Sequence, residues 1–315
     1  PGVGVLGIIV PVFLIAVLGY LMTWVGLFRT RDVEGLTRYV FSVALPVMLF
    51  DSMSKIELPG EFQWSLMAAY YLPTITLFGG TALIGRFVFH QSRQARAVFA
   101  MGASYSNTVL IGLPIISAAW GDDGLLPLLM IVTVHAAVLF LLTTALAETG
   151  ASDTGERATV ARVIGRTAAG IVRNPILIGI AAGVLANILS IRLPGPLDDT
   201  AGLIRGSALP AALFVTGASL REFRIAGHLP EAGVIIVLKM VVHPMLVWLL
   251  AAFVFQLQPL WIAVAVITAA MPTGINASVF ARTYAGAVAP VATATLLSTI
   301  LAVVSTSVLL MAFGV

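Results

Sequence analysis

The chain has 315 residues, 59% of them hydrophobic and 10% charged, with no cysteine and a formal net charge of +3. Soluble domains carry about 25% charged residues, so an ordinary soluble protein is excluded, and without cysteine so are disulfides, thiolate metal sites and cysteine nucleophiles. The apolar segments are too long and too uniform for the alternating strands of a β-barrel, and the basic residues are distributed as membrane topology requires rather than as a nucleic-acid patch.

In chain order, Pro1 to Met22 is the first apolar segment, with Pro11 inside it and no cleavable signal-peptide pattern. A charged turn, Phe28 to Arg38, leads to a second span, Tyr39 to Met53, that holds Pro46 and ends near Asp51. The third span lies within Phe62 to Phe89 and contains Pro73; a basic turn, His90 to Arg96, follows. The fourth, about Ala97 to Trp120, carries Asn107, Gly112 and Pro114, and is expected to break at the last two. Proline lacks an N–H and clashes with the preceding turn. Asp122 and Asp123 read as a solvated turn, and Leu125 to Leu146 as the fifth span.

Ala147 to Arg166 is the longest polar connection and reads as a surface linker. The sixth span starts at Asn174-Pro175 and runs to about Ser190, and a loop follows from Ile191 to Thr200. The seventh covers about Leu203 to Leu220 with Pro210 inside, and the eighth Ala232 to Phe255 with Lys239, His243 and Pro244. The ninth is broken at Met271 to Asn276 by Pro272 and Gly274, and Ala287 to Phe313 is the tenth.

The two halves repeat. Ala44-Leu45-Pro46 followed by Leu49-Phe50 returns 164 residues later as Ala208-Leu209-Pro210 followed by Leu213-Phe214, and the same shift relates Pro11 to Pro175 and Gly19 to Gly183. Five spans per half make the repeat an inverted one. The connections after odd-numbered spans hold Arg29, Arg31 and Arg38, then Arg86, Arg93 and Arg96, then Arg157, Arg162, Arg166 and Arg173, then Arg221 and Arg224, then Arg282. The opposite connections hold only Lys55, Arg192 and Arg205. The positive-inside rule puts the first set in the cytoplasm and both termini outside. The expected fold is therefore an all-α polytopic membrane protein of ten transmembrane helices in a five-plus-five inverted repeat. Residues 1–147 form the first repeat, 148–165 a cytoplasmic linker and 166–315 the second repeat.

Broken polar segments at corresponding places in the two halves point to a transport site. Irregular backbone inside a bilayer survives only where protein or a polar cavity satisfies it. Asn107 and Asn276 are the foremost candidates, since an amide can bind a carboxylate or coordinate a cation; each can equally patch the backbone opened by its break. Thr108, Thr273 and Ser278 add hydroxyls, while Gly112, Pro114, Pro272 and Gly274 shape the breaks. Lys239 and His243, four apart, share a helix face and are candidates for substrate binding or for coupling, or else sit near the aqueous edge with the lysine snorkelling. His135 in the fifth span is a weaker candidate of the same kind. Asp51 either carries a proton or pairs with Lys55. No catalytic constellation, P-loop or zinc motif is present, so neither an enzyme nor direct ATP drive is indicated, and no cofactor is expected.

These motifs, SNTVLIGLP ending at Pro114 and MPTGINASVFA from Met271 to Ala281, with ALPVMLF at Ala44 to Phe50 and RNPILIG at Arg173 to Gly179, resemble the auxin efflux carrier family in its bacterial, malonate- and malate-transporter-like form. The resemblance covers nearly all ten spans. It implies fourth and ninth helices that cross near mid-membrane and elevator-like alternating access, with substrate bound by Asn107 and Pro114 at one crossing and by Pro272, Gly274 and Asn276 at the other. It also implies a scaffold of helices 1, 2, 6 and 7, a transport unit of helices 3–5 and 8–10, and a homodimer in the bacterial inner membrane. The partners expected are a small organic anion and membrane lipid, with H+ or Na+ as coupling ion and no nucleic acid. Sodium-coupled bile-acid symporters resemble the same broad fold, and a membrane ligand sensor is the alternative of another class.

Overall fold

A computed structural model of the chain describes residues 4–58, 63–148, 165, 173–223, 225, 228–284 and 286–315. Most of the linker expected at 148–165 lies outside the described residues. Among those residues every regular element is helical, apart from one isolated antiparallel bridge between Ser106 and Thr273.

The helices are α1 (Val5–Trp24), α2 (Thr30–Lys55), α3 (Trp64–Phe87), α4 (Arg93–Ser104), α5 (Thr108–Trp120), α6 (Leu125–Glu148), α7 (Pro175–Ile188), α8 (Gly195–Leu220), α9 (Leu229–Val254), α10 (Pro259–Ala270), α11 (Ile275–Thr283) and α12 (Val288–Ala312). Seven of them, α1, α2, α3, α6, α8, α9 and α12, are long and apolar enough to cross a membrane, and α5, α7 and α10 are shorter apolar helices. Their outward faces are apolar, with Leu203 80%, Trp64 75% and Leu6 73% exposed. Such a surface suits lipid, where helices satisfy their own backbone and the side chains need no water.

Two boundaries differ from the sequence reading. The charged stretch Phe28 to Arg38 is not a turn. From Thr30 it is already helix, because the Asp32 carboxylate accepts the Arg29 N–H at 2.9 Å and closes the first turn. Helix α8 likewise starts at Gly195, with Pro196 in the first turn, where a missing N–H costs nothing, and Asp198 near the positive end of the helix.

The prolines expected to break helices are mostly absorbed. Pro46, Pro114 and Pro244 each follow a π turn, at Val40–Ala44, Thr108–Gly112 and Leu238–Val242. The residue just before each proline, Leu45, Leu113 and His243, donates its N–H to the carbonyl five residues back. A proline ring clashes with the carbonyl four residues earlier, and one wide turn relieves that clash without stopping the helix. The expected break at Gly112 and Pro114 is therefore corrected: α5 runs through both, and the interruption falls earlier, at Tyr105 to Asn107.

Packing divides the helices into groups. The C-terminal half of α2 packs along α7, and α1 along α8, through glycines; α3, α4 and α6 pack on one another, as do α9, α10 and α12. One buried cluster joins residues of α1, α2, α5, α6, α7, α8, α10 and α12; a second joins residues of α3, α4, α6, α9, α11 and α12.

Candidate functional site

Between α4 and α5 three residues are unwound, and between α10 and α11 four. The two unwound segments lie side by side and pair as a minimal antiparallel ladder. Asn107 N–H donates to the Pro272 carbonyl at 2.9 Å, and Gly274 N–H to the Tyr105 carbonyl at 2.9 Å. Backbone groups released from four helix ends thus satisfy one another inside the protein, as an apolar surrounding requires. Side chains complete the junction. The Thr273 hydroxyl donates to the Gly102 carbonyl (2.9 Å), Thr273 N–H to Ser298 Oγ (3.1 Å), and Ser106 N–H to His135 Nε2 (3.1 Å). Gly274 is needed for contact: a Cβ there would lie 2.5 Å from the Tyr105 ring.

A cavity of about 700 Å³ begins at this junction. Tyr105, Ser106, Asn107, Thr108 and His135, all buried, line its inner part, and its outer part is lined by Asn276, Glu34, Arg38 and Glu222, all exposed. It therefore opens on the face that carries the arginine-rich connections. Asn107 is only 7% exposed, and its amide has no hydrogen-bond partner among the described residues. Helix α5 starts directly after it, so the N–H groups of Val109 and Leu110, both lining the cavity, have no intrahelical acceptor. An unengaged amide and a positive helix end on one wall are arranged for an anion. On the other crossing segment, Asn276 Nδ2 donates to the Tyr105 hydroxyl at 2.8 Å and so presents its amide beside Asn107's wall.

The remaining candidates fall elsewhere. Gly112 packs against Met271, Pro114 is buried within α5, and Ser278 Oγ lies 3.4 Å from Thr295 Oγ1. Lys239 and His243 are fully buried in α9 and do not line the cavity. Lys239 donates to the Ala269 carbonyl at the end of α10 and to His243 Nδ1 at 3.2 Å. His243 Nε2 then faces the Thr74 hydroxyl at 2.9 Å, and Thr74 donates to the Tyr70 carbonyl at 2.7 Å. Since Thr74 has one proton and gives it to Tyr70, His243 must donate from Nε2 and accept at Nδ1. The result is a directed chain of donors from Lys239 to the backbone of α3.

At the opposite end of the molecule, Asp51, almost fully buried, pairs with Lys55 (2.6 Å), as one sequence reading had it, and with Arg205 (2.9 Å). Arg205 also reaches Asp122 (2.6 Å), and Lys55 reaches Asp198 (2.7 Å). Sequence inspection missed this network because its members are far apart in the chain; their common position in connections of the same face was the available signal. Among the described residues no group of three or more His, Cys, Asp or Glu side chains is placed to hold a metal ion.

Long apolar helices around two interrupted ones, with a cavity at their meeting point, are the architecture of a membrane transporter. The chain belongs to the membrane transport protein (Mem_trans) family, whose model matches residues 5–310. It is 27% identical over 301 residues to a Rhizobium meliloti (strain 1021) protein named "Putative malonate transporter", covering 95% of this chain and 92% of the relative. It is 24% identical to an uncharacterized transporter of Methanothermobacter thermautotrophicus, covering 94% of each chain. To auxin efflux carrier component 8 of Arabidopsis thaliana it is 26% identical, covering 87% of this chain and 88% of the relative.

Proposed function

We propose that the chain is a secondary active transporter of a small organic anion, a mono- or dicarboxylate, that works by elevator-type alternating access. The observation that carries this reading is the amide-bearing Asn107 at the start of α5, on the wall of a cavity that Asn276 shares. Asn107, Thr108 and Asn276 contact the anion; Pro272, Thr273 and Gly274 hold the crossing, with Gly112, Pro114 and Ser278 supporting its flanks. The names of the Rhizobium and Arabidopsis relatives, a malonate transporter and an auxin carrier, agree with a carboxylate.

In this reading α4 with α5, and α10 with α11, are the fourth and ninth of ten spans in an inverted repeat, with residues 1–147 and 166–315 as its halves. Helices α1, α2, α7 and α8 are the scaffold, and α3–α6 with α9–α12 move. The packing of α1 on α8 and of α2 on α7 supports that division. The cavity is open towards the arginine-rich face while Arg205 ties Asp51 to Asp122 on the other, the pattern of an inward-facing state. Lys239 and His243 serve coupling, to H+ or Na+, through their donor chain rather than by touching substrate. The protein works as a homodimer in a bacterial inner membrane, with both termini outside.

The test is uptake into proteoliposomes under a proton or a sodium gradient, with thermal-shift screening of dicarboxylates, bile salts and aromatic acids with and without sodium. Asn107→Ala and Asn276→Ala are expected to abolish saturable uptake in protein that remains folded. Wild-type rates in both would remove the site assignment. Accumulation of bile salts driven by sodium alone would replace this reading with that of a bile-acid-type symporter.

A further inference from the structure

Beside the cavity, the Nδ1 atom of His135 is fully buried and has no hydrogen-bond partner among the described residues. This residue of α6 is 1% exposed and lines the cavity beside Tyr105. Its Nε2 accepts the backbone N–H of Ser106 at 3.1 Å, in the unwound segment between α4 and α5. A nitrogen that accepts cannot carry a proton, so the ring is neutral and its proton sits on Nδ1. That Nδ1–H has no hydrogen-bond partner among the described residues.

The neighbours that might have served are committed elsewhere. Three tyrosine rings surround the imidazole, Tyr105 at 4.8 Å, Tyr70 at 5.9 Å and Tyr71 at 6.4 Å between centroids. The Tyr105 hydroxyl accepts from Asn276, the Tyr71 hydroxyl donates to the Ile131 carbonyl, and the Tyr70 hydroxyl pairs with Ser106 Oγ. A buried donor left open is costly, and in a native protein it calls for an explanation such as a ligand that completes it.

We propose that His135 is a specificity-determining residue whose Nδ1–H donates to an acceptor oxygen of the bound anion, so that the site selects dicarboxylates over monocarboxylates of equal chain length. The inference rests on the carboxylate reading above and adds to it. Asn107 and the start of α5 hold one carboxylate, and His135 meets a second oxygen-bearing group. Because Nε2 is occupied by the Ser106 bond, the ring offers a donor only. It therefore favours a carboxylate or carbonyl oxygen and gives nothing to a methyl group in its place. The Ser106 bond also fixes the ring to the crossing itself, so the donor travels with the site.

Binding of malonate, propionate, succinate and butyrate to the purified full chain tests this, in the wild type, His135→Met and His135→Gln. Glutamine can both accept from Ser106 and donate onward; methionine cannot donate. The expected result is a loss of roughly tenfold to a hundredfold in dicarboxylate affinity in His135→Met, well beyond the loss in monocarboxylate affinity, and near-complete rescue in His135→Gln. In the wild type labelled with 15N-histidine, an Nδ1–H resonance should shift on adding the diacid and stay on adding the monoacid, a readout that needs no variant. Equal loss for both ligand classes, no loss, or an unmoved resonance overturns the role of His135 and leaves the transport reading standing. Failure of the wild type to bind any of the four acids overturns the carboxylate reading itself, and the inference with it.

Discussion

Gly183 of α7 lies directly on the backbone of Phe50 in α2, so close that a Cβ would sit 2.6 Å from the Phe50 carbonyl oxygen. The counterpart contact is made by Gly19 of α1 on Phe214 of α8, where a Cβ would sit 2.1 Å from the carbonyl oxygen. Gly19 and Gly183 are 164 residues apart, and so are Phe50 and Phe214. The two contacts thus join positions related by one shift of 164 residues. Small residues at such points let helix backbones approach within membranes.

Gly19→Ala and Gly183→Ala should each destabilise the protein. The obstacle is main chain, which cannot rotate away, so a cost at or above the usual overpacking range of about 1–3 kcal/mol is expected. Thermal midpoints in detergent measure it. Gly202→Ala in α8, where a Cβ meets nothing within 4 Å, should leave the midpoint unchanged or raise it.

Gly274→Ala addresses the crossing. Its Cβ would press on a tyrosine ring that Asn276 holds by the hydroxyl, so the two-bond ladder between the unwound segments must open. Uptake should fall at least tenfold, while the thermal midpoint falls less than in Gly183→Ala. Unimpaired uptake would show that the ladder need not keep this geometry.

The ion pairs of Arg205 invite an accessibility experiment, made clean by the absence of native cysteine. Val109→Cys places one thiol in the cavity. An impermeant maleimide should label it from the arginine-rich face in otherwise unaltered protein. Adding Arg205→Gln breaks the links to both Asp51 and Asp122 and should raise labelling from the opposite face severalfold. Labelling that stays one-sided would mean that these pairs do not hold that face shut.

Lys239→Met removes the donor to both Ala269 and His243. Each acceptor left open costs about 1–3 kcal/mol, so stability should drop. If the lysine serves coupling, exchange of labelled for unlabelled substrate survives while gradient-driven accumulation is lost. Accumulation at the wild-type level in folded variant protein would make Lys239 purely structural.

The sequence by itself determined the membrane class, the order of the apolar segments and the second interruption. Each depends on composition and local chemistry, and Pro272 withholds an N–H wherever it is placed. The two asparagines were legible as well, because polar amides stand out in apolar surroundings. Only the tertiary structure decided where the first interruption falls. Tyr105 to Asn107 contains no helix breaker, and it stays unwound because Pro272 and Gly274 of the other half supply its hydrogen bonds. Pro114, the locally obvious breaker, is absorbed by a π turn. Partners remote in the chain likewise settled the surroundings of Lys239, Asp51 and His135. Local propensity says what a segment can do alone, and in these places a neighbour more than a hundred residues away, or on another helix, supplied the bond that decided the outcome.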